Sequence, residues 1–141
     1  MSIGSLNYAI IRYTFSKHGR LSSKKLINAL FRHGKTVNFY PIRLVYLSRN
    51  RQLVSNTQVM FAAPKRKFKS AVTRNTIKRR MREAYRLHKH LLASPHSSSV
   101  RFLLGYIYMG SRQQSNFQVI QEKIIQAIYY LSSLYQQERP V

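Results

Sequence analysis

Between Lys65 and His90 the chain reads KRKFKSAVTRNTIKRRMREAYRLHKH, and this stretch holds 11 of the 25 Lys and Arg residues with a single acid, Glu83. At ~100° per residue, the part from Ala71 onward sorts by chemistry. Ile77, Met81, Ala84, Tyr85, His88 and Leu92 share one side, while Asn75, Lys78, Arg79, Arg82, Arg86 and Lys89 fall in an adjoining arc roughly 100° wide. Periodicity alone would make this a solvated charged face. Like charges at i and i+4 destabilise a helix, however, and almost nothing of opposite sign is at hand to offset them. The pattern suits a polyanion. Arg74 and the strip that follows it can hold phosphates, and Asn75 can bond a base edge, a 2′-hydroxyl or the helix's own first turn. Lys65, Arg66 and Lys67, on the run that feeds the helix, form a second basic set.

Chemistry on bonds is harder to find. A metal-dependent nuclease needs clustered carboxylates to hold its ions. The acids are Glu83, Glu122 and Glu138, each on a helical pattern and far apart in sequence. His88 and His90 are two apart, so they do not face each other on a helix, and His88 projects toward the apolar side. His18, His33 and His96 lie in or near loops, and no spacing signals a histidine-based phosphodiesterase. A Gly-rich phosphate loop is absent as well. The expectation is a binder with no catalytic residue, no metal site and no cofactor of its own.

A third set mixes aromatics with base: Phe31, Lys35, Phe39, Tyr40, Arg43 and Tyr46. Stacking platforms inside a positive groove are what an extended single strand requires. The same aromatics would equally serve a core.

The run Ala71-Val72-Thr73-Arg74-Asn75-Thr76-Ile77-Lys78-Arg79, followed by Arg82-Glu83-Ala84-Tyr85-Arg86, resembles the signature of the bacterial ribonuclease P protein component. That signature reads roughly A-V-x-R-N-R-x-K-R-x-x-R-x-x-[FY], and the Lys65-Arg66-Lys67-Phe68 run is similar to the family's basic loop before the helix. The match departs at Thr76, where the family carries its second motif arginine; Arg80 lies on a different side of the helix and does not replace it. The resemblance covers roughly residues 14–135. It implies an α/β (α+β) two-layer sandwich whose β-α-β crossover is left-handed, against the usual rule. It also implies the protein subunit of a ribozyme endoribonuclease, in which the RNA subunit carries out the Mg2+-dependent removal of the 5′ leader from precursor tRNA. The basic helix would bind the catalytic RNA, and a cleft between the first helix and the sheet would take the leader. Phe31 and Tyr46 match aromatic positions of that cleft, whereas Ile27 stands where an aromatic is common. The competing reading is a structural RNA-binding protein of the ribosomal type. A DNA-binding helix-turn-helix would need a short helix where Gln58–Ala63 reads as a strand.

The elements that must position these residues follow from the rest of the chain. At 141 residues and 44% hydrophobic, it is long and apolar enough for one domain, 1–141, with a core over about 14–135 and a loose arm over 1–13. A net charge of +22 favours a nucleic acid or an anionic surface as partner. No apolar run approaches the ~20 residues that span a bilayer, and no secretory signal is expected, since the first residues lack a basic stretch followed by a long apolar core. With no cysteine either, the expectation is a cytoplasmic protein with an RNA partner and neither membrane nor DNA contacts. Ser22 or Ser23 can cap a helix that buries Leu26, Ile27, Leu30 and Phe31 and ends at Gly34. Val37–Phe39, Ile42–Leu47 and Gln58–Ala63 read as strands, with Arg49–Asn56 as a hairpin loop. The imperfect alternation Ile42–Leu47 implies cover on both sheet faces. Pro64 ends the third strand, and Ser70 or Thr73 caps the basic helix. After a loop at 94–99, Val100–Met109 reads as an interior strand. Ser115 with Gln118 resembles a capping box for a last helix striped by Ile120, Ile124, Ala127, Ile128, Leu131 and Tyr135. The predicted order is α-β-β-β-α-β-α.

Overall fold

A computed structural model describes residues 19–50, 54, 56–92 and 100–137. Its elements are α1 (Lys24–His33), β1 (Lys35–Phe39), β2 (Ile42–Asn50), β3 (Gln58–Ala62), α2 (Ala71–His88, extended by a 3-10 turn at Lys89–Leu91), β4 (Val100–Tyr108) and α3 (Phe117–Gln137). This is the expected order in a mixed α+β fold. The arm at 1–13, the loop at 94–99 and most of the turn after β2 lie outside the described residues.

Each helix begins where a short polar side chain can accept a free N–H. Ser23 Oγ accepts from the Leu26 N–H and Ser70 Oγ from the Thr73 N–H, both at 3.4 Å. The capping box expected at Ser115 is not used. Asn116 stands directly before the first helical residue, and its Oδ1 takes the Val119 N–H at 2.9 Å. Ser115 is instead 3% exposed and bonded into the preceding turn. Gly34 ends α1 with its N–H on the Leu30 carbonyl at 2.8 Å. β1 starts one residue later, so the chain leaves the helix pressed against backbone. A Cβ at Gly34 would lie 2.3 Å from Leu30 O and 3.0 Å from Tyr46 O, which only glycine avoids.

The sheet runs β1-β2-β4-β3. β1 and β2 form an antiparallel hairpin, and β4 pairs antiparallel with β2 and parallel with β3. A parallel pair cannot be joined by a tight turn; here α2 makes the crossover. Registers such as Leu44↔Tyr106 and Tyr46↔Leu104 put the even-numbered residues of β2 and β4 on one face. That face packs on α2 and α3 through Ile42, Leu44, Phe102, Tyr106, Ile77, Met81 and Ile124, all at most 1% exposed. The other face carries a smaller cluster, in which Leu30 of α1 packs with Val45 and Leu103. The principal sandwich is therefore sheet on α2 and α3, with α1 laid across the far side. β3 is an edge strand, met by Arg20 in an isolated bridge to Val59 and by the Leu21 N–H on Val59 O at 2.9 Å.

Met81 lies at the centre of the main core at 0% exposure. Met81→Ala leaves a cavity there and should lower unfolding stability by about 2–5 kcal/mol, read as a shifted urea midpoint with an unchanged m value.

Candidate nucleic-acid interface

Burial of Ile77, Met81, Ala84 and Tyr85 fixes the rotation of α2. The adjoining arc is thereby turned toward the outer edge of β3. Arg82 helps line a cavity of about 390 Å3 there, together with Arg20, Leu21, Val59 and Phe61. Asn75, Arg79 and Arg82 are exposed, and Lys78, Arg86 and Lys89 are half-buried. The strip expected from periodicity thus exists as one accessible flank. Arg20 carried no signal of its own in the sequence; it reaches this site only because residues 20–21 pair with β3.

Within the strip, Glu83 acts as a local counter-charge. Arg86 donates from Nε to Glu83 Oε2 at 3.0 Å and from Nη2 to Oε1 at 2.5 Å. The hydrogen bond from Arg86, backed by its charge, holds the Glu83 carboxyl below the ordinary carboxylate range. Burial, and then the neighbouring Arg86 charge, lowers the Lys89 ammonium.

Other basic residues of the predicted set shape the backbone. Arg74 donates from Nη1 to the carbonyls of Phe68 at 2.7 Å and Lys69 at 3.0 Å. Lys67 donates to the Met109 carbonyl. Arg80 points away from the strip, as expected, and donates to Ser115 O at 2.8 Å. Lys65 and Arg66 stand exposed on the loop into α2. His88, on the apolar side, is half-buried and shares a hydrogen bond with Gln121 Oε1 of α3 at 3.0 Å.

The aromatic set does not come together. Phe31 is 48% exposed on α1 and lies over Gly105, where an added Cβ would sit 3.9 Å from its Cζ and 3.7 Å from Met60 Cγ. Arg43 shares that sheet face and donates to Asn38 Oδ1 at 3.1 Å. Tyr46 belongs to the opposite face. At 5% exposure, it packs edge-on against Phe102 and Tyr130 and shares a 3.0 Å hydrogen bond with the Tyr130 hydroxyl. It is a core residue and not a stacking platform. Phe39 lies on the same face as Tyr46, 6.0 Å from the Tyr130 ring, and Lys35 is the register partner of Tyr46. Tyr40 is 58% exposed in the β1–β2 turn, its hydroxyl on Gln114 Oε1 at 3.0 Å. The parity that separates them was available in the sequence, since Tyr46 shares the phase of Ile42 and Leu44.

The family model described as Ribonuclease P matches residues 15–129. The chain belongs to the Ribonuclease P family. It is similar to the ribonuclease P protein component of Porphyromonas gingivalis, at 41% identity over 57% of this chain, and it spans 58% of the length of that relative. The protein component of Chlorobium phaeobacteroides is 33% identical over 77% of this chain and 81% of its own. Two solved structures share the fold. The Staphylococcus aureus RNase P protein has a TM-score of 0.61 at 17% identity, covering 83% of this chain and 97% of that one. The Thermotoga maritima protein has a TM-score of 0.59 at 19% identity, covering 79% and 96%.

Where the resemblance to the Ribonuclease P signature breaks, Thr76 turns its hydroxyl back onto its own helix, donating to Val72 O at 2.9 Å. Among the described residues, no three His, Cys, Asp or Glu side chains gather as metal ligands would. No helix among them is long and apolar enough to cross a membrane.

Placement of the two aromatics separates their expected effects. Tyr46→Ala should destabilise the fold by about 3–5 kcal/mol, as for other large aromatics removed from a core. Phe31→Ala should leave the melting temperature nearly unchanged, and parallel thermal melts of the two variants check this.

Proposed function

We propose that this chain is the protein subunit of ribonuclease P, binding the catalytic RNA through α2 and the 5′ leader of precursor tRNA along the α1 face of the sheet. The observation that carries the reading is that four polar residues of the family's pattern fall on one open flank of α2. Asn75, Lys78, Arg79 and Arg82 stand there where phosphates can reach them. Neutralising RNA phosphates offsets the crowding of like charge that makes such a helix costly in isolation. Lys65 and Arg66 extend this surface, with Lys89 at its far end.

For the leader we assign the face that carries Phe31, Met60 and Arg43. Phe31 offers a ring at the end of α1, beside a strip of sheet that α1 covers only in part, and Arg43 supplies charge. Stacking on such a ring tolerates any base, which suits a leader of varied sequence. Lys35 and Tyr40 flank the β1–β2 hairpin and can reach RNA from its edge; Phe39 and Tyr46 support it from within. The hydrolytic step belongs in this reading to the RNA, which holds the Mg2+ ions that activate water. The described side chains offer no cluster that would hold such ions. The protein's part is to bind, to position and to offset phosphate repulsion, in the cytoplasm where tRNA precursors are made.

Reconstitution tests this. Protein alone should leave precursor tRNA intact at any Mg2+ concentration, and with its RNA it should restore 5′ cleavage at lower Mg2+. Glu83→Gln should leave that cleavage nearly unchanged, because Glu83 only balances Arg86. Cleavage by RNA-free protein, lost on Glu83→Gln, would make the chain a protein nuclease and sink the proposal. Arg79→Ala or Arg82→Ala should each flatten the slope of log K against log salt by roughly 0.7–0.9 without lowering the melting temperature. Phe31→Ala should weaken leader-bearing precursor by about 1–3 kcal/mol and spare mature tRNA.

A further inference from the structure

The motif strip occupies one flank of α2. Thr73 lies on the other, about 170° around the helix from the middle of the strip at 100° per residue. On that side the loop into α2 and the turn after β4 enclose a cavity of about 440 Å3, lined by Lys67, Lys69, Thr73, Gly110 and Arg112 among others. No carboxylate lines it. Lys69 and Arg112 are exposed, while the Lys67 ammonium is held on the wall by the carbonyls of Met109 and Gly110.

Both loops are fixed from α2 itself. Arg74 grips the carbonyls of Phe68 and Lys69, as described above. Arg80 donates to the carbonyl of Ser115, and the Ser115 hydroxyl donates in turn to the Arg112 carbonyl at 2.6 Å. The turn is pinned further by Tyr108 Oη on the Ser111 carbonyl at 2.6 Å and by the Ser111 N–H on Gln114 Oε1 at 2.9 Å. Gly110 packs so closely that a Cβ there would meet Pro41 Cβ at 2.6 Å. Two arginines of one helix are thus turned inward to hold two loops, and each loop presents one outward cation to the same space. These bonds hold the backbone from which the Lys69 and Arg112 side chains start, so the loops need not reorganise to bind an anion. Ser70 already caps α2 from within, so the side-chain cations mark this site, and the helix end does not.

We propose that the cavity is a second RNA phosphate site, in which Lys69 and Arg112 hold a backbone phosphodiester of a segment other than the one lying along the motif strip. Arg112 supplies the planar fork that matches phosphate oxygens, and Lys69 a point charge beside it. Arg74 and Arg80 are positioning residues for that pair. α2 then sits between two RNA segments, one on each flank. The proposal rests on the reading of the chain as an RNA-binding subunit.

The test compares wild type, Lys69→Ala/Arg112→Ala and Arg79→Ala/Arg82→Ala, full-length, for binding to the refolded ribonuclease P RNA. Loss of two phosphate contacts flattens the log K against log salt slope by roughly 1.4–1.8, so between about 50 and 200 mM salt the cavity variant loses about tenfold less affinity than wild type. Its thermal melt should match wild type, and Lys69→Arg/Arg112→Lys should keep the wild-type slope. Should the alanine pair melt early, Lys69→Gln/Arg112→Gln keeps the side-chain stems and takes its place. A second arm adds precursor tRNA to the preassembled complex. Flattening in the first arm assigns the phosphate to the RNA subunit, and flattening in the second arm alone assigns it to the precursor. A wild-type slope in both arms overturns the second site. If the strip variant still loses its contacts in that case, the subunit reading stands without it; if neither variant changes, both fall.

Discussion

Everything in this fold depends on β4 being paired on both edges and buried on both faces over Phe102–Tyr106. Phe102, Leu104, Tyr106 and Tyr108 point into the main core, and Leu103 and Gly105 point toward α1. A strand covered on both faces reads as a continuous apolar run, as Phe102–Tyr106 does, all of it buried. Its parallel pairing with β3 forces the connecting chain across the sheet, and α2 is that connection. The helix that carries the basic strip is therefore held at both ends by adjacent strands, and its rotation is set by Ile77, Met81 and Ala84. On the reverse side Gly105 allows close approach: a Cβ there would lie 3.3 Å from Leu30 Cδ2. One strand thus positions both faces on which the proposed function relies.

Element order, the buried side of α2 and the strip beside it were legible because each is a matter of spacing within one element. The split of Phe31, Lys35, Phe39, Tyr40, Arg43 and Tyr46 was half legible. Proximity in sequence suggested one cleft, whereas the alternation of a strand sends Arg43 and Tyr46 to opposite faces. The roles of Arg74 and Arg80 were not legible at all. Their partners are carbonyls of Phe68, Lys69 and Ser115, and a backbone acceptor leaves no trace in residue type. The cap of α3 moved by one residue for a related reason. Ser115 and Asn116 are both good caps, and Ser115 is already engaged by Arg80 and by the Arg112 carbonyl.

The basic residues of α2 consequently divide by direction. Those facing outward beside β3 remain available to a partner, and those facing the loops organise the surface that other cations present. A count of arginines in the motif overstates the number that can contact phosphate, while cations on neighbouring loops are overlooked by it.

Three carboxylates in the whole chain cannot neutralise 25 bases, and one of the three is taken by Arg86. In the absence of a partner the remaining charges push on one another, and the native state carries that repulsion as a standing load. Added salt relieves it, since screening sets in over a Debye length of ~10 Å at 0.1 M. The same ions would compete for phosphates and loosen the proposed hold on RNA. Salt would therefore act with opposite signs on the solitary protein and on the proposed RNA complex, firming the one while dissolving the other. In the proposed complex a bound RNA would do for the fold what salt does, and would do it by mass action.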